Sequence, residues 1–331
     1  MADFIIKNYV PDYENKWDAF IENESVNGTF LHSRRFLNYH PEGRFTDASL
    51  VVFDNGGHVI AVIPACKTLE NGKTIFSSHS GSTYGGIIFA KRIYEFDKVS
   101  AIIDGVENFI KTEYDQVVYK ITPTLFSIEP ADLIEYALYY KGYSSYSELN
   151  SYIDYSSYDK NVLSNFAQGK RTNVNNCIKK GMTFKEIFSD DEIKEFYSIL
   201  SVTLKKYDKK PVHTVEELIE FKNNRLKQEC AFFGTYLDGK MVAGSMNFYF
   251  KNANVAHTQY LCALPEFSKL SPMTFTYYSV IKDCMEKGYG KLSFGISTED
   301  CGRYVNEGLT KSKEAFGGKH AVNRIYYKEL K

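Results

Sequence analysis

Three runs, AFFGTYL (Ala231–Leu237), VAGSMNFYF (Val242–Phe250) and VAHTQYLC (Val255–Cys262), precede SPMTFTYYSVIKDCME (Ser271–Glu286) and KLSFG (Lys291–Gly295). The first three are rich in β-branched and aromatic residues and read as strands. Asp238-Gly239-Lys240 is a hairpin turn between the first pair, and Lys251-Asn252-Ala253-Asn254 is the polar tip that returns the chain into the third. Ser271 followed by Pro272 predicts a helix start, with the serine as N-cap and the proline at the first helical position. Gly288 and Gly290 end that helix, and KLSFG reads as a short buried strand. The order is three antiparallel strands, a helix, and a strand returning beside the third. A crossover helix between neighbouring strands makes that last pair parallel.

Where a strand hands over to a helix at a sheet opening, free N–H groups and the positive end of the helix dipole point into the gap. Phosphate or a polarised carbonyl is favoured there. This layout resembles the core of the GNAT acyltransferase superfamily, and the resemblance implies an acyl-coenzyme A bound in such a gap. The expected fold class is α/β, with a mixed sheet of α+β character.

The 331 residues are long for one domain and comfortable for two of about 150 each. With 44% hydrophobic and 24% charged residues the composition is globular. Lys plus Arg total 40 against 41 Asp plus Glu, so the net charge of −1 gives no global case for DNA or other nucleic acid, although a local basic groove stays open. Aromatic content is high, 26 Tyr and 24 Phe with Trp17 alone of its kind, and core filling accounts for it before any stacking surface does. The six cysteines form no Cys-x-x-Cys pair, and Cys66, Cys230, Cys262 and Cys284 sit in apolar runs, as reduced core thiols do. No metal site is read from their spacing. The start MADFIIKNYVPDYE lacks a signal-peptide pattern and no apolar stretch approaches the ~18 residues of a membrane span, so a cytoplasmic location is expected.

In the first half, helices are predicted from Trp17 and over Phe30–His40, ending before Pro41. A hairpin follows around Asn55-Gly56-Gly57, then a third strand, KTIFSS, ending at Ser78, a helix over Phe96–Thr112, the strand QVVYKIT from Gln116 and a helix over Ala131–Tyr140. These turns, strands and helices recur roughly 180 residues later in the same order, which reads as a duplicated unit, 1–155 and 156–331. Two GNAT-like units in tandem resemble the Fem-like (FemAB-like) peptidyltransferases and their bacterial relatives.

The loop Ser78–Gly86 holds three glycines and four Ser/Thr hydroxyls, which would let its backbone come close to a ligand. His79 and Tyr84 are candidates to lend a proton or hold a carbonyl, with Gly85 and Gly86 as backbone contacts; the plainer alternative is a turn whose histidine caps backbone groups. In the second half, Asn161–Gly181 is a polar helix bearing Lys170, Arg171, Lys179 and Lys180. It is either a solvated face or, through Lys170 and Arg171, a phosphate contact. His257 and Gln259 are placed by strand alternation on one face, with Tyr260 on the other. A histidine there is either a satisfied core group or a member of the opening.

The end of the chain carries the most specific match. Gly308-Leu309, then Lys311-Ser312-Lys313, then Phe316-Gly317-Gly318 resemble the closing motif of the Fem-like transferases. The resemblance places a functional lysine at Lys313, where a cation suits an acyl oxyanion. Ser312 stands where that motif has an aromatic residue. The pyrophosphate signature of GNAT proteins is replaced by Ser268-Lys269-Leu270-Ser271-Pro272, with Ser271 as the remaining candidate contact, and no coiled-coil arm is present.

The reading is an acyltransferase moving an acetyl or other acyl group, or an aminoacyl group, onto an amine by direct attack in a ternary complex. Lys313, His79, His257 and Glu299 are the catalytic candidates, with Asp300 beside Glu299 as a further carboxylate base. No cysteine lies in a cation-rich helix N-terminus, which disfavours a covalent thioester step. From the resemblance, the donor is acyl-coenzyme A (acetyl-CoA) or aminoacyl-tRNA, and the acceptor a cell-envelope or glycan precursor such as a nucleotide-linked sugar or peptidoglycan precursor, as in polysaccharide biosynthesis. The alternative is a non-catalytic ligand-binding protein on a degenerate GNAT fold.

Overall fold

The computed structural model describes residues 4–41, 43–206 and 208–331. Chain order begins β1 (Phe4–Asn8), α1 (Glu14–Asn23), α2 (Arg34–Leu37), β2 (Thr46–Asp47), β3 (Leu50–Asp54), β4 (Val59–Ile63), β5 (Ala65–Glu70), β6 (Lys73–Ser78) and β7 (Ile88–Phe89). It continues through α3 (Phe96–Ile110), β8 (Gln116–Lys120), α4 (Asp132–Tyr140), β9 (Ser144–Asp154), α5 (Gln168–Lys179), β10 (Thr183–Ile187), α6 (Asp190–Lys205) and α7 (Val215–Glu220). It closes with β11 (Cys230–Leu237), β12 (Lys240–Phe250), β13 (Val255–Ala263), α8 (Pro272–Glu286), β14 (Lys291–Ile296), β15 (Thr298–Glu299), β16 (Tyr304–Val305), α9 (Glu307–Glu314) and β17 (Lys319–Glu329).

Two compact units result. The first is Met1–Glu148 together with Val322–Lys331, and the second is Leu149–Ala321. The last ten residues count with the first unit because β17 pairs antiparallel with β8.

In the first unit, β3 and β4 form the hairpin at Gly56 within a four-stranded sheet of order β1-β3-β4-β7. Its other strands run β17-β8-β6-β5-β2, and β6 lies parallel to β8 with α3 as the crossover. Val99, Ile102, Ile103, Val106 and Ile110 recur at helical spacing on α3 and are buried against this sheet. Trp17 is fully buried and donates its indole N–H to His32 O at 2.7 Å. The helix expected over Phe30–His40 is broken: a single 3-10 turn at Phe30–His32, capped by Thr29, leads to the short α2, capped by Ser33.

In the second unit the strand order is β10-β11-β12-β13-β14-β9. β11, β12 and β13 are antiparallel neighbours, and β13 and β14 are parallel with α8 between them in sequence, as the periodicity and turns predict. The core gathers Phe233, Ala256, Phe275, Val280, Ile281, Cys284, Leu292, Phe294 and Phe316 under α8. The polar segment 161–181 is a 3-10 turn followed by α5, whose Val174 and Cys177 are its buried residues. Thr214 caps α7 and Ser189 caps α6, each closing a reciprocal capping box with a glutamate three residues on.

Candidate active site

β13 and β14 pair over only three residues, Val255↔Lys291, Ala256↔Leu292 and His257↔Ser293. Beyond that point β13 runs on to Ala263 while β14 ends at Ile296, and the sheet opens between them. A β-bulge sharpens the opening. Met246 faces Tyr260 and Asn247 faces Thr258, so Gln259 is the extra residue. The bulge overturns simple alternation: His257 lies opposite Phe248 and Tyr260 opposite Met246, two positions apart on β12. His257 and Tyr260 therefore share a face, where alternation had paired His257 with Gln259.

The half-buried His257 has its Nδ1 3.1 Å from Ser293 Oγ. Ser293 Oγ donates to Asn150 Oδ1 at 3.2 Å and accepts the Gly295 N–H at 3.2 Å. That leaves a lone pair for His257 Nδ1–H, so the chain Asn150–Ser293–His257 fixes the ring. Burial and the nearby Lys313 ammonium pull its pKa down to about 4, against a smaller opposing pull from Gln259. The imidazole is neutral at physiological pH. Gly295, at φ 72°, comes close to the same ring, where an added Cβ would lie 3.4 Å from Cε1.

Lys313, on α9, is 2% exposed. Its ammonium donates to Gly295 O at 2.8 Å, Ile296 O at 2.9 Å and Ser297 Oγ at 2.9 Å. An ammonium has three protons, and all three have acceptors. Burial lowers its pKa to about 8. The geometry makes Lys313 a clamp on the end of β14 rather than a group aimed at an oxyanion. The rest of its motif supports the clamp. Phe316 is fully buried, its ring 4.8 Å from that of Tyr277 and 5.0 Å from that of Phe166. Gly318 lies so close to the helix that an added Cβ would meet Lys313 O at 2.7 Å.

After β13 and a 3-10 turn over Pro265–Leu270, α8 begins beside a recess of about 180 Å³ lined by Asn173, Asn176, Lys179, Lys180, Lys269, Leu270 and Ser271. Ser271 is the residue before the helix, as expected, but it adopts a left-handed φ of 59° and its side chain makes no cap. A non-glycine residue in this region holds a strained backbone. Cys177 on α5 donates its thiol to Leu270 O at 3.1 Å and holds the turn. Three lysines and two carboxamides, beside the N-terminal end of a fifteen-residue helix, gather positive charge and N–H donors around the recess.

The other sequence candidates fall as follows. Lys170 donates to Ser312 Oγ at 3.0 Å and sits over the Phe316 ring at 4.5 Å, so it braces α9 rather than lining the recess. Arg171 is exposed and also outside the recess lining. α5 reaches the recess instead through Asn173, Asn176, Lys179 and Lys180. Glu299 is exposed on the β15–β16 hairpin and pairs with Lys209 at 3.4 Å.

The glycine-rich loop belongs to the first unit and packs inward. His79 is buried, and its Nδ1 accepts the Gly81 N–H at 3.2 Å. Burial brings the His79 pKa down to about 4, with Asp47 opposing and Arg34 adding to the fall. Tyr84 is buried against Phe126, Gly85 N–H donates to Lys120 O at 2.6 Å, and Gly86 N–H donates to Ser78 Oγ at 2.9 Å. This is a tied backbone turn, the plainer of the two readings of that loop. Among the described residues no cluster of three metal-ligating side chains occurs, and no helix is long and apolar enough to cross a membrane.

One pair escaped sequence reasoning altogether. His213, in the segment just before α7, has its Nδ1 2.7 Å from the Tyr260 hydroxyl. The only local signal was the capping box Thr214–Glu217, which fixes the backbone immediately after it.

Residues 168–304 match the family model described as an acetyltransferase (GNAT) domain. No curated protein matches the chain. Among solved structures it is similar to FemX, with 13% identity and a TM-score of 0.68 over 97% of this chain and 96% of that one. It is also similar to L-PGS from Bacillus licheniformis, at 13% identity and a TM-score of 0.61, covering 94% and 90% of the two chains. A tandem GNAT protein from the clavulanic acid biosynthesis pathway matches at 10% identity and 0.57 over 99% of both. At such identities the likeness is one of fold. The parted strands, the helix between them and the family match agree: the second unit carries an acetyltransferase (GNAT) domain, in a chain whose fold is shared with FemX.

Proposed function

We propose that the second unit transfers an acyl group from acyl-coenzyme A to the amine of a small-molecule acceptor, by direct attack while both are bound. The observation that carries this reading is the parting of β13 and β14 after His257↔Ser293, with a lysine-lined recess at the start of the helix that joins them. A diphosphate fits the recess chemistry, since Lys179, Lys180 and Lys269 offer ammonium donors and the helix start adds its dipole. The pantetheine arm would then lie along the bare edge of β13, with the thioester near the bulge at Gln259. Fixing donor and amine together removes much of the entropic barrier. In this arrangement the clamp of Lys313 on Gly295 and Ile296 holds β14 apart and keeps His257 against the gap. His257 is too weak a base to take an amine proton, and its part is to hold the substrates in place. For the acceptor, the resemblance of the closing motif to the Fem-like transferases favours a cell-envelope precursor.

Calorimetric titration of the purified protein with coenzyme A and acetyl-CoA tests the donor. Binding is expected, weakened about tenfold by Lys269→Ala and again by Lys180→Ala. If aminoacyl-tRNA binds and coenzyme A does not, the donor assignment is wrong. If neither binds, the enzymatic reading of this cleft falls.

A further inference from the structure

Tyr260 stands three residues beyond the last β13–β14 pair, on the face it shares with His257. Its hydroxyl is not simply packed away. Besides His213 Nδ1 at 2.7 Å, the backbone N–H groups of Val212 and His213 are directed at the same oxygen, and the Gln259 side chain borders it. An oxygen that accepts backbone N–H groups and still lies 2.7 Å from an imidazole nitrogen gives its own proton to that nitrogen. The ring then carries its hydrogen on Nε2 and its lone pair on Nδ1.

His213 is held as firmly as a relay requires. It is 5% exposed, its ring stands edge-on to buried Phe221 at 5.2 Å, and Thr214 caps the following helix. Tyr197 on α6 is the other titratable neighbour that acts on the Tyr260 hydroxyl.

We propose that Tyr260 is the group that takes the proton from the attacking amine, with His213 behind it as the positioning residue that stores the charge. The inference rests on acyl transfer from a thioester in the cleft of this unit. As the amine nitrogen bonds to the carbonyl carbon, its proton passes to Tyr260 Oη while the phenolic proton moves to His213 Nδ1. When the C–S bond breaks, the same path runs in reverse and the proton ends on the departing thiolate. The products are an amide and a free thiol, and Tyr260 and His213 return to their starting states. Burial pushes the phenol pKa up to about 12, which keeps it protonated between turnovers.

Three variants and two readouts test this. Tyr260→Phe removes only the hydroxyl. His213→Asn places an amide at the Nδ1 position, which keeps a hydrogen bond to the phenol but cannot hold a proton. His213→Ala removes both. The assay is acetyl-CoA turnover with glucosamine and ethanolamine as amine probes, together with the dissociation constant for coenzyme A. Tyr260→Phe and His213→Asn are each expected to lower kcat about 100-fold or more, within the range of lost general acid–base catalysis, while coenzyme A affinity and thermal midpoint hold. If His213→Asn keeps wild-type kcat, the pair is a structural clasp and the proposal fails.

The second readout needs no turnover. In ¹⁵N spectra of the wild-type protein, His213 must show a protonated Nε2 and a bare Nδ1, and Tyr260→Phe must shift the Nδ1 resonance. A protonated Nδ1 overturns the relay whatever the activity. If coenzyme A fails to bind the wild type while the spectra match, the reading of the cleft falls and the hydrogen-bond assignment stands, so the two failures are distinguishable.

Discussion

Lys313→Met tests whether the closing motif holds a buried cation. Methionine matches the length of the stem and donates nothing, so Gly295 O, Ile296 O and Ser297 Oγ each lose a charged donor. Such bonds contribute about 1.5–3 kcal/mol apiece. Against that, a lysine whose pKa falls from 10.5 to about 8 carries about 3 kcal/mol of burial penalty while it is charged. The net cost of the substitution near pH 7.5 is about 2–6 kcal/mol. The pH dependence decides more. Below pH 8 both folded and unfolded chains hold the proton and the penalty is fully present. Between about 8 and 10.5 the unfolded chain binds more protons than the folded one, so wild-type stability rises with pH. Between pH 7.5 and 9.5 this one group adds about 2 kcal/mol, an increment Lys313→Met lacks. Urea unfolding of both proteins at the two values, followed by far-UV circular dichroism, should show the gap between them widening by about that amount. Parallel profiles would show that Lys313 is an ordinary surface amine, and the clamp would have to be abandoned.

Three further outcomes can be checked independently. Gly318→Ala puts a Cβ 2.7 Å from the Lys313 carbonyl, a backbone atom that cannot swing aside, so a loss of about 2 kcal/mol or more is expected in the same unfolding assay. In the first unit, Arg34 is fully buried with its guanidinium 3.4 Å from the Tyr9 ring centroid, 4.5 Å from that of Trp17, and paired to Asp47 at 2.6 Å. Arg34→Lys cannot stack on both rings and reach the carboxylate, so it should cost about 2–4 kcal/mol and shift the emission of Trp17, the protein's one tryptophan. Of the six cysteines only Cys301 is exposed, so a thiol reagent should label one site quickly in the native protein and six after denaturation. Two or more fast sites would contradict the core assignment of Cys66, Cys177, Cys230, Cys262 or Cys284.

The framework of the second unit is legible in the sequence because it follows from local chemistry. Asp238-Gly239 turns a hairpin, Pro272 can begin a helix but not continue a strand, and Gly288 stops one. The repeat of strand, helix and parallel strand at β6-α3-β8 and β13-α8-β14 is visible for the same reason. What escaped the sequence depends on long-range partners. Nothing near Gln259 announces a bulge, which exists because β12 and β13 slip by one residue between Met246 and Asn247. His213 and Tyr260 are 47 residues apart and meet only once α7 is docked. Lys170 and Lys180 look alike on paper. One faces Ser312 and Phe316 and the other the recess, because α5 turns them to different sides.

The cleft and the closing motif are one physical feature. After Ser293, β14 has left β13, and its register with β9 breaks before Ile296. Backbone acceptors on that stretch lose the ladder partners a closed sheet would supply, and buried carbonyls without donors are costly. Lys313 replaces those partners with three N–H donors from one side chain, which no neutral residue can do. Phe316 and the two glycines after it seat the helix that carries the lysine. Where this sheet parts, one internal cation satisfies the acceptors that the parting exposes. That role accounts for a buried lysine whose charge is costly to keep and whose three protons all have acceptors on β14 and the serine after it.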